Sequence, residues 1–76
     1  MEETTTTKPT LEDIEALKKS IKRLNSKSGQ QKMDLHDLAE GLPINYKTLL
    51  EMAQKTYDIY FELDQLKKQL KSWEEL

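Results

Sequence analysis

His36 and Glu40 are the two residues of this sequence that come nearest to a chemical site. Side chains four apart on a helix share a face, so this pair could offer two ligands to a divalent metal. Two ligands do not make a zinc-type site unless a symmetry mate or a second helix adds more. Asp34, Asp37 and Glu51 make the surroundings acidic enough to attract a cation. The plain alternative is a partly exposed histidine hydrogen-bonded to a neighbour. There is no cysteine, which excludes disulfides, thiolate metal sites and cysteine nucleophiles. No Ser/His/Asp order, glycine-rich phosphate loop or aspartate-rich metal run is present. The residue types therefore point to a protein that is not an enzyme and that has no cofactor beyond that metal.

A second group carries charge. Six basic residues (Lys18, Lys19, Lys22, Arg23, Lys27, Lys32) follow one another without an acidic residue between them. Lys67, Lys68 and Lys71 form a smaller group near the other end of the chain. The patch of Lys18, Lys19, Lys22, Arg23, Lys67, Lys68 and Lys71 reads either as solvated surface or as a site for an anionic partner, such as an acidic protein face. RNA fits less well, because the patch holds one arginine and no interleaved aromatic residue.

These groups need a scaffold, and 76 residues allow one domain at most. A chain of this size buries only about 60% of its extended surface, so a partner must supply what the core lacks. Charge is high but balanced at −2 (12 Lys and Arg, 14 Asp and Glu), which argues against a strongly basic nucleic-acid binder. Two glycines and two prolines are too few for a loop-rich or disordered chain, so long amphipathic helices are expected. No run approaches a membrane span, and MEETTTTKPT has no apolar core for a secretory signal. The cytoplasm is the expected compartment.

Residues 1–9 carry four consecutive threonines and no apolar period, and are read as a disordered tail ahead of a single domain over 10–76. Thr10 and Asp13 form a short capping box for a helix over about 11–40. A heptad then runs through Ile14, Leu17, Ile21, Leu24, Ser28, Gln31, Leu35, Leu38 and Leu42. Ser28 and Gln31 are its weak layers, and Gly29 between them is where a bend would fall. The unbroken register predicts a continuous helix. Gly41 is expected as a left-handed C-terminal residue and Asn45 as the next N-cap. The turn is placed at 41–45, with Leu42 and Ile44 plugging the end of the core.

The second helix is expected over about 46–73, with its own heptad of Leu49, Met52, Thr56, Ile59, Leu63, Leu66, Leu70 and Trp73. So short a turn makes the helices antiparallel, pairing residues whose numbers add to roughly 87. Gln31 then meets Thr56, Ser28 meets Ile59, and Leu24 meets Leu63. Arg23 and Lys27 come near Asp58, Glu62 and Asp64. A second stripe of Tyr46, Leu50, Ala53, Tyr57 and Tyr60 has nothing in the chain to cover it. The expected fold is all-α: an antiparallel, coiled-coil-like hairpin that forms a homodimeric four-helix bundle through that stripe.

The segment Lys32-Met33-Asp34-Leu35-His36-Asp37-Leu38-Ala39-Glu40, followed by Leu42-Pro43, resembles a small family of bacterial proteins encoded among nitrogen-fixation genes. So does Ala53-x-x-Thr56-Tyr57-x-x-Tyr60-x-x-Leu63, with Leu66-Lys67-x-x-Leu70 after it. The resemblance spans about residues 11–72. It implies a Rop-like helical hairpin that pairs into a four-helix bundle and is associated with proteins that assemble or carry the nitrogenase iron–molybdenum cofactor. The characteristic residues map to His36, Asp37, Glu40, Pro43, Thr56 and Tyr57. Gly29 departs from the pattern, where a better helix former is expected. The resemblance supplies a process and no reaction. Three functions stand at this point: an accessory protein contacting a nitrogenase-maturation protein, a metal or metal-cofactor carrier using His36 and Glu40, and an RNA-binding helical dimer.

Overall fold

The structure, a computed structural model, describes residues 8–76; the greater part of the threonine-rich segment lies outside the described residues. Pro9 and Thr10 lead into α1, Leu11–Glu40. Thr10 Oγ1 accepts the Asp13 N–H at 3.0 Å, and the Thr10 N–H donates to Asp13 Oδ2 at 2.9 Å. Two of the unsatisfied donors of the first turn are thereby paired. Glu12 and Asp13 also place negative charge at the positive end of the helix dipole. The helix runs through Gly29 without a break.

The chain reverses over 41–48. Gly41 ends α1 with φ −85°, donating its N–H to the carbonyls of Asp37 and Leu38 at 3.2 and 3.1 Å. It is therefore not left-handed, contrary to expectation. The left-handed residue is Asn45 at φ 61°, a conformation asparagine tolerates better than most side chains. Asn45 makes no side-chain cap; its carbonyl instead accepts the N–H and the hydroxyl of Thr48, at 3.0 and 2.9 Å. The first turn of the second helical segment is accordingly 3₁₀, Tyr46–Thr48, and α2 is Leu49–Glu74. Leu42–Pro43 is a cis peptide. Leu42 and Ile44 do not plug the core. Both are exposed, Ile44 by 69%, because the turn carries them past the last layer shared by the two helices.

The α1 and α2 helices form an antiparallel hairpin measuring 54 × 21 × 16 Å. Its radius of gyration, 17.2 Å, exceeds the roughly 11 Å of a compact chain of this length. The two heptads make one seam. Leu17 and Leu63 are buried within it, and Ile14, Ile21, Leu24, Leu35, Leu38, Leu49, Met52, Ile59, Leu66, Leu70 and Trp73 are half-buried. Register is visible in the polar contacts: Gln31 Nε2 donates to Thr56 Oγ1 at 3.4 Å, and the Tyr60 hydroxyl donates to the Ser28 carbonyl at 3.4 Å. The core is one layer thick throughout. Only Leu63, at 4%, approaches complete burial among its large side chains.

Candidate protein-docking faces

On α2, Tyr46, Leu50, Ala53, Tyr57 and Tyr60 are all exposed, Leu50 by 83% and Tyr57 by 63%. The stripe is offset from the seam, so α1 cannot reach most of it. Tyr57 stacks on Phe61, with ring centroids 6.1 Å apart and planes at 15°. Phe61 belongs to this surface and was absent from the sequence reading. Its signal was available: it stands four residues beyond Tyr57, the spacing that also joins Tyr46 to Leu50.

The floor beside the stripe is low. Ser28 is 3% exposed and turns its hydroxyl inward to the Asn25 carbonyl, 2.7 Å away. A Cβ added to Gly29 would meet nothing within 4 Å. Asn25, Tyr60, Leu63, Asp64 and Lys67 line a groove along this edge of the hairpin. Asn25 and Arg23 lie about 100° to either side of the seam residue Leu24, so Arg23 belongs to the opposite edge. A second groove there is lined by Arg23, Lys27 and Glu62.

The polar layer lies between these edges. Gln31 Nε2 reaches Met52 Sδ at 2.9 Å as well as Thr56, whose hydroxyl donates to the Met52 carbonyl at 2.8 Å. A thioether is a weak acceptor, so Gln31 is held in place more than it is satisfied.

His36 and Glu40 do share a face, with Nε2 and Oε2 3.5 Å apart and both side chains exposed. No third histidine or carboxylate joins them: among the described residues no group of three such side chains could hold a metal ion. Asp34 takes a hydrogen bond from Gln30 at 3.0 Å, and Asp37 and Glu51 point to no common centre with the pair.

Lys18, Lys19, Lys22, Arg23, Lys67, Lys68 and Lys71 are all exposed. Lys68 pairs with Asp64 at 2.9 Å. Among the described residues, the other six have no carboxylate within ion-pair distance. Neutralisation of Arg23 and Lys27 by Asp58, Glu62 and Asp64 is thus limited to a shared groove with Glu62. Asp58 instead accepts from Gln54 at 2.7 Å, and Asp64 is held on its own helix by Lys68.

The chain belongs to the Rop-like family, whose model matches residues 12–75, and its two-helix antiparallel hairpin fits that family. Within it, the chain is similar to UPF0437 proteins. That of Trichormus variabilis is 67% identical over 61 residues, covering 80% of this chain and 71% of the relative. A relative from Frankia alni, described as lying in the nifX–nifW intergenic region, is 47% identical over 51 residues, covering 67% of this chain and 62% of its own. The crystal structure of a DUF683-family protein from the cyanobacterium Cyanothece 51142 superposes with a TM-score of 0.85. It is 63% identical and the match covers 88% of this chain and 94% of that one. Among the described residues no helix is long and apolar enough to cross a membrane.

Proposed function

We propose that this protein is a non-enzymatic accessory protein of nitrogen fixation, acting in the cytoplasm through protein–protein contacts during nitrogenase or iron–molybdenum cofactor maturation. The observation that carries the reading is the exposed stripe of Tyr46, Leu50, Ala53, Tyr57 and Tyr60, extended by Phe61. Tyrosine-rich apolar surface of this extent is characteristic of interfaces. The position of the Frankia relative between nifX and nifW supports the process.

The working form is a homodimer of hairpins, a four-helix bundle with the stripes packed across a twofold axis. At about 25 cal/mol per Å² of apolar area, a few hundred Å² per chain contributes of order 10 kcal/mol to pairing before association costs. The test is capture from nitrogen-fixing cells with the tagged full chain. Repeated recovery of a maturation component supports the role; repeated recovery of none overturns it.

A second reading has one observation in its favour. His36 and Glu40 sit 3.5 Å apart and exposed on α1. Two copies of the pair, brought together by a twofold axis, would supply the ligands that one chain lacks. The carrier function then predicts a stoichiometric divalent metal.

A further inference from the structure

Among the described residues, the open half of the hairpin carries charge that is left almost wholly without ion-pair partners. From Ala16 to Met33, α1 has six cations and no anion. Lys18 and Lys22, Lys19 and Arg23, and Arg23 and Lys27 are like charges four apart, as are Lys67 and Lys71 on α2. Each such pair works against the helix that carries it. Carboxylates were available to relieve them: Glu12, Asp13 and Glu15 stand just before this stretch, and Glu74 and Glu75 just after Lys71. Among the described residues, the one ion pair in this half is Lys68 with Asp64.

We propose that this lysine belt is a docking surface for a short acidic segment of a partner protein, gripped between Lys18 and Lys22 of α1 and Lys67 and Lys71 of α2. The inference rests on the accessory role proposed above and names the chemistry of the partner. Lys22 and Lys18 continue the α1 ridge below Asn25, and Lys71 continues the α2 ridge beyond Lys67. Asn25 and Lys67 face each other across one groove, floored by Tyr60 and Leu63; its one carboxylate, Asp64, is taken up by Lys68 at 2.9 Å. The two lysine pairs therefore flank the stretch of the hairpin that continues this groove toward the open end, with Tyr60 and Leu63 behind it.

The flanks select for length. From Lys18 to Lys22 the belt is about 6 Å along the α1 axis. Beyond it lie Glu12, Asp13, Glu15, Glu74 and Glu75 on one side and Asp64, Asp58, Asp34, Asp37 and Glu40 on the other. A segment with a few closely spaced carboxylates fits between these acidic zones. A nucleic-acid strand long enough to bind well overruns them, in a chain whose net charge is already −2.

The test uses the full chain and a fluorescent helical peptide of about sixteen residues bearing glutamates four apart, with a glutamine counterpart as control. Anisotropy should show binding that weakens with salt, at least about tenfold tighter than for the glutamine peptide. K18Q/K22Q and K67Q/K71Q should each lose roughly fivefold or more, while K47Q/K55Q, the same loss of charge at the loop end, stays within about twofold. Glutamine keeps the helix propensity of lysine, so all three variants should fold, as circular dichroism will register. Equal binding of the two peptides, equal damage by K47Q/K55Q, or tighter binding of a single-stranded RNA of about twelve nucleotides would each overturn the proposal. The two readings fail separately. A chain that captures maturation components in cells but ignores the acidic peptide keeps its role and loses the belt. One that binds the peptide through these four lysines but captures nothing keeps the belt and loses the role.

Discussion

The Tyr60 hydroxyl crosses the hairpin to the backbone carbonyl of Ser28, 3.4 Å away. It can do so because Ser28 is small, buried, and turned inward onto Asn25. What heptad logic scores as a weak layer is the notch into which α2 lays an aromatic ring.

Filling that notch should therefore hurt. S28L restores an aliphatic heptad but overpacks the layer, and is expected to cost about 1–3 kcal/mol. Y60F, which deletes only the cross-helix hydroxyl, should cost about 1 kcal/mol or less. Thermal melts of both decide it; a higher melting temperature in S28L would mean that the layer has room.

Gly29 behaves in the opposite way. It is helical and its missing Cβ has open space around it. G29A should restore about 1 kcal/mol of helix propensity and raise the melting temperature by roughly 4–8 °C. A fall would show that a second copy closes on this point of α1.

The Gln31–Thr56 contact is held at both ends within a half-buried layer. T56V alone leaves the glutamine amide with only the Met52 sulfur, and should cost about 1 kcal/mol or more. Q31L/T56V removes both polar groups and should recover most of that loss. Urea midpoints for the two variants make the comparison.

How much of this could be read from the residues depends on what each residue faces. The hairpin, the capping box and the Gln31–Thr56 layer follow from periodicity and spacing, which act locally or through one repeated pairing rule. The turn does not. Gly41 was the obvious left-handed residue, yet Asn45 takes that conformation, since a reversal can be distributed over several residues without changing the pattern on either side. Phe61 escaped because a stripe chosen for tyrosines ended at Tyr60. The two lysine pairs were legible as a patch, but the edge of the hairpin they share became visible only from the groove that joins Asn25 to Lys67.

Association through the stripe is open to a direct test. Sedimentation equilibrium over a wide concentration range should give twice the chain mass of 8.9 kDa. Y57E places an unpaired carboxylate in the stripe and should shift the protein toward monomer. An unchanged mass would move the interface to another face, the outer side of α1 being the next candidate.

The metal reading stands or falls on His36. Metal analysis after gel filtration should find a stoichiometric divalent ion in the unmodified protein and little in H36A. Equal retention in the two would remove His36 and Glu40 from any carrier function.

The antiparallel arrangement also has a mechanical consequence. Both ends of the helical region emerge at the same pole, so a pull between them opens the seam as a zipper. The layer of Ile14 and Trp73 gives way first, followed by each layer in turn toward the bend. Load never spreads over the whole core. The Gln31–Thr56 contact becomes the last polar catch, with only the leucine and methionine layers beyond it to arrest the tear. A partner seated across Lys18, Lys22, Lys67 and Lys71 would bolt the two arms together near the mouth of that zipper, where a single clamp resists opening most effectively.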